Sequence, residues 1–98
     1  MEPFTMLFLL LLGAAAAATV VSVLTWSAVE DWIQAHKVDS GFAQIVRNRM
    51  ANGNFRVVTG VFDSTGDLKS SEAWEAIELD TELQGRFSME GNVIRVTT

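Results

Sequence analysis

The chain has no cysteine, no tyrosine, one proline and one histidine among its 98 residues. Without cysteine there is neither a disulfide nor a thiolate metal site to hold a fold together. A lone histidine, His36, cannot build a histidine metal cluster and leaves a Ser–His–Asp type of triad unsupported; beside Lys37 it reads as a residue on an interfacial helix. Basic side chains are also scarce, with seven Lys and Arg against twelve Asp and Glu, a formal net charge of −5. The deficit is uneven. Residues Glu30–Arg56 carry Lys37, Arg47, Arg49 and Arg56 against three acids, whereas Asp63–Glu90 carries eight acids against Lys69 and Arg86. An acidic distal part and three scattered arginines argue against nucleic acid as a partner. No glycine-rich phosphate loop is present, since Gly53, Gly60 and Gly66 are spaced as turn or bulge residues without a following Lys-Ser/Thr. The sequence Asp63-Ser64-Thr65-Gly66-Asp67 has neither the ligand spacing of a calcium loop nor an Asp-Thr-Gly triplet, and its composition is that of a turn. These absences predict a protein that is not an enzyme, with no cofactor, no metal and no evident small-molecule substrate.

What is present is a long hydrophobic run. The 27 residues from Pro3 to Val29 contain no ionisable side chain and end at Glu30-Asp31. A bilayer core takes about 20 apolar residues as helix, so the run predicts a single-pass transmembrane helix, with an interfacial extension to residue 38. A cleaved signal peptide is disfavoured because Met1-Glu2-Pro3 supplies no basic side chain, and hydrophobicity continues through Thr19-Val20-Val21 beyond the small residues. Within the run, Phe4–Leu12 is bulky and reads as lipid-facing. Ala14, Ala18, Ser22 and Thr25 share one helical face, with Gly13 and Ala17 beside it, which predicts a close helix–helix contact. Trp26 and Trp32, followed by Lys37, mark the expected membrane interface. The basic residues after the run place the C-terminal domain in the cytoplasm.

Residues 39–98 read as a small α+β soluble domain with one amphipathic helix on a three- or four-stranded antiparallel sheet. The helix starts at Asp39 or Ser40, carries Phe42, Ile45, Val46 and Met50 on one face, and closes at Asn52-Gly53. Asn54–Phe62 is rich in β-branched and aromatic residues on both faces and reads as a central strand. Ser71–Leu79 is ambiguous between helix and strand; the preceding turn favours a strand pairing back on Asn54–Phe62. Thr81–Gln84 has capping-box spacing for a single helical turn, and Arg86–Glu90 with Val93–Thr97 reads as a final hairpin.

A domain of about 60 residues buries only about 60% of its unfolded surface, so a partner is expected to supply further stability. The function that follows is an accessory or structural subunit of a larger membrane assembly, bacterial or organellar, whose soluble domain is a protein-interaction module. Its partners would be the lipid bilayer and other membrane subunits or a second copy. Trp74 would be the apolar anchor of a docking patch for a basic partner, with Glu75 and Glu78 around it. The alternative is a self-associating membrane-active effector of the toxin or holin type.

Overall fold

A computed structural model of the protein describes residues 18–97. In chain order the elements are β1 (Thr19–Leu24), α1 (Trp26–His36), β2 (Phe42–Arg49), β3 (Phe55–Phe62), β4 (Leu68–Leu79), α2 (Thr81–Glu90) and β5 (Val93–Thr97). The five strands form one mixed sheet in the order β1-β4-β3-β2-β5. β1 runs parallel to β4, and the other three pairings are antiparallel.

The described residues thus replace the expected architecture of one helix on a purely antiparallel sheet with a five-stranded mixed sheet and two helices. The largest correction concerns the hydrophobic run. Its second half is not a continuous helix. Thr19, Val20, Val21 and Val23 are β-branched residues suited to a pleated surface, and they form the edge strand β1. The backbone is extended at Thr25, whose hydroxyl accepts a hydrogen bond from the Ala28 N–H and so caps α1. On α1, Val29 and Ile33 are fully buried and Trp26 nearly so, all in the core beneath the sheet. Hydropathy responds to apolar character alone, and burial against protein needs the same side chains as burial in lipid, so the sequence pattern of a membrane segment and of this core stretch is the same. No helix among the described residues is long and apolar enough to cross a membrane. The single-pass anchor and the cytoplasmic placement that rested on it are withdrawn for this stretch. The remainder of the run, through Ala17, lies outside the described residues.

A second correction falls on residues 39–53. Phe42, Ile45 and Val46 have helical spacing, but the segment is β2, paired along its whole length with β3 and over five residues with β5. A strand buried on both faces carries apolar residues without clean alternation. Here Ala43 and Ile45 face the helices, while Phe42 and Val46 face away. The turn into β2 depends on Gly41, where a Cβ would collide with the carbonyl oxygens of Phe62 and Val38. The third correction is the supposed final hairpin. Residues 81–90 form α2, N-capped by Asp80 rather than Thr81, and only β5 remains a strand. Elsewhere the expectation agrees with the structure: β3 is the central strand, and β4 pairs back on it.

Both helices pack on the same face of the sheet. Val29 and Ile33 from α1, and Leu83 and Phe87 from α2, meet Ile45, Val57, Val61, Trp74, Ala76 and Ile94. The stretch 19–36 shares this core with the C-terminal strands. One carboxylate joins the two helix starts. Asp80 Oδ1 accepts from the Leu83 N–H at 2.8 Å and from the Trp26 N–H at 3.2 Å, while the Asp80 N–H donates to the Leu24 carbonyl.

The β3–β4 turn is held by Asp63. Its Oδ1 accepts from the Thr65 hydroxyl and from the backbone N–H groups of Thr65 and Asp67. The Thr65 hydroxyl first, then the Asp67 N–H, with Lys69 a lesser influence, hold the carboxyl down at about 2. A carboxyl lowered on folding stabilises the folded turn above its ordinary pKa, near 3.9, and loses that effect as pH falls towards the folded value. We therefore expect amide exchange at Thr65 and Asp67 to accelerate between about pH 4 and pH 2 by this linkage, beyond the intrinsic pH dependence of exchange. Asp63→Asn should abolish that acid-dependent step, as read by hydrogen exchange.

Candidate interaction surface

The residues singled out from sequence fall in different places. Gly13, Ala14 and Ala17 lie outside the described residues. Ala18 is partly buried against the face of the sheet remote from the helices. Ser22 is exposed on β1, and Thr25 is the N-cap of α1. The described members of the small-residue set therefore do not share a helical face.

The expected membrane-interface tryptophans are core residues. Trp26 is buried with the Arg86 guanidinium 3.9 Å above its ring centroid. Trp32 is partly buried, stacks on His36 at 4.4 Å, and meets Trp74 edge-on at 6.3 Å. His36 donates from Nδ1 to the Trp32 carbonyl at 2.8 Å, which ties it to its own helix. Lys37 is exposed at the C-cap of α1.

The proposed docking trio separates as well. Trp74 retains only 8% exposure and points into the main core, so its indole is not a surface anchor. Glu75, one position on, takes the opposite face and accepts from the Asn54 amide at 3.0 Å. Glu78 is exposed beside Val23 of β1. In a strand, neighbouring residues take opposite faces, and a patch built on Trp74 and Glu75 together cannot form. Among the described residues no group of three or more His, Asp or Glu is placed to hold a metal ion.

The feature that sequence reasoning missed is β1 itself. It stands at one edge of the sheet, and no described strand pairs with its outer side. Its sequence, TVVSVL, has no charge and no proline. Val20 is 74% exposed and Val23 46%, and Ile77 of the adjacent strand is also exposed. Natural edge strands are usually blunted by lysine, proline, bulges or shortness, because their free N–H and C=O groups recruit other strands. The opposite edge obeys that rule: β5 has five residues and carries an exposed Arg95. β1 has none of these devices. The signal was present in the β-branched Thr19-Val20-Val21-Ser22-Val23, but the surrounding apolar run obscured it.

No family model, no curated protein and no solved structure matches this chain.

Proposed function

We propose that the protein is an interaction module that assembles by strand addition at β1, joining a second copy of the chain edge to edge. The observation that carries this reading is an uncharged six-residue edge strand with Val20 and Val23 exposed. Main-chain hydrogen bonds give affinity in such a contact, and side chains of alternate residues give selectivity. A chain with net charge −5 repels its copies over most of its surface, and β1 is a border where two copies meet without like charges face to face. The self-association read from sequence as a membrane-helix contact is thereby relocated to the sheet edge.

The test is sedimentation of the full chain over a concentration series, alone and as Val20→Lys/Val23→Lys. Both side chains are solvent-exposed, so the variant should keep its circular dichroism spectrum and an unfolding free energy within about 0.5 kcal/mol of wild type. The wild-type chain should form dimers as concentration rises and the variant should stay monomeric. A monomeric wild type at all concentrations, or a variant that dimerises equally well, would refute strand addition at this edge.

A further inference from the structure

The sheet has a second face on which neither helix lies, yet its centre is shut off from water. Strand register places Val93, Val46, Val58 and Ala73 in one row across four strands. A second row holds Phe42, Phe62 and Leu68; between them lie Gln44 and Gly60, flanked by the exposed Arg95, whose guanidinium covers the Phe42 ring at 4.1 Å, and the exposed Ser71. Val46 is 2% exposed, Val58 3%, Phe62 0% and Gln44 7%. Gln44 Oε1 is buried without a hydrogen bond. An open sheet face is solvated, and a parallel or mixed sheet buried on both sides needs a layer on each. Among the described hydrophobic residues only Ala18, at the start of the chain described, packs on this cluster from outside the sheet.

We propose that the occupant of this face is the chain's own segment Phe4–Leu12. Three observations converge on it. Ala18, which directly follows the segment in sequence, is itself packed on the cluster. The seventeen residues before it include the nine-residue stretch FTMLFLLLL, uncharged and bulky, joined by the small linker Gly13–Ala17. Nine residues span about 13 Å even as helix, and the three central strands are about 10 Å across. The face also offers a seat. Gly60 has no side chain and Ser71 a short one, so the middle row stands lower than the apolar rows on either side of it and leaves room for large aliphatic side chains. On this reading the first part of the hydrophobic run completes the fold as its third layer.

The absence of native cysteine makes the test direct. In the full chain, Leu9→Cys is combined with Ser71→Cys on this face, or with Ser27→Cys on the exposed side of α1, and treated with a short bismaleimide. The expected result is an intramolecular cross-link for the first pair at least tenfold above the second, unchanged by added phosphatidylcholine vesicles. An intermolecular product would make a second copy the occupant. A yield that collapses with vesicles would hand the segment to a bilayer, and equal yields for the two pairs would leave the segment no place on this face. Each of these three overturns the proposal. Independently, Leu9→Asp/Leu11→Asp in the full chain should raise the fluorescence of a hydrophobic dye several-fold. An unchanged signal would contradict the assignment.

Discussion

Replacing Val29 with aspartate should unfold the whole domain. Val29 has no exposed surface and sits among the apolar side chains beneath the sheet. Burying a carboxylate there without a partner costs several kcal/mol. A domain of this size has a total stability at the lower end of about 5–15 kcal/mol, so the folded state should not survive the change at room temperature. Loss of amide dispersion in a nuclear magnetic resonance spectrum is the measurement. The neighbouring Ser27→Asp is the control: Ser27 is exposed in the first turn of the same helix, where a negative charge is favourable, and that variant should stay folded. A membrane segment ending at Val29 would give a different outcome, with residues 39–98 folded in both variants.

The second large effect is expected at Phe87. Sequence spacing assigned this residue to a hairpin strand, but it lies on α2 and is fully buried. The Arg47 guanidinium closes over its ring at 4.8 Å, and Arg47 is itself held by Asn92 through two hydrogen bonds. Phe87→Ala removes a large ring from the contact between α2 and the sheet and should cost about 3–5 kcal/mol. With a urea dependence of about 1 kcal/mol per molar, the midpoint should fall by about 3–5 M or the variant should be unfolded at the outset. Met89→Ala, two residues on at an 89% exposed position, should shift the midpoint little. Equal effects at the two positions would mean that α2 does not present this face to the sheet.

How far the sequence was legible follows from these positions. The central strand β3 was readable because Phe55–Phe62 is dominated by β-branched and aromatic residues on both faces, and its turn into β4 because Asp63–Asp67 has the side chains that turns use. The β2 strand was not, because a strand buried on two faces loses the alternation that identifies strands, and three of its apolar residues happen to fall at helical spacing. The α2 helix was hidden by Gly85 at its middle and by the polar residues around Leu83 and Phe87; its third apolar residue, Met89, is exposed and adds nothing to a buried stripe. The hydrophobic run was the most misleading feature. Transfer free energy makes Val29 or Ile33 equally at home in lipid or in a protein core, and only long-range pairing, Thr19 with Trp74 and Leu24 with Leu79, decides between them. That pairing spans more than fifty residues and leaves no local mark. For the same reason, Trp74 looked like an exposed anchor among acids, although alternation along β4 turns it inward and turns Glu75 out.

β1 is a sheet edge held from one side by β4, and among the described residues no strand pairs with its other side, which we propose recruits another copy. Hydrogen exchange of the β1 amides in the full chain, followed from dilute to concentrated protein, tests both in one experiment. Every second amide from Thr19 to Leu24 should be protected at all concentrations by bonds to β4, and the intervening amides should gain protection as concentration rises. Fast exchange at every β1 amide would contradict the edge strand, and intervening amides that remain fast at high concentration would contradict assembly through it.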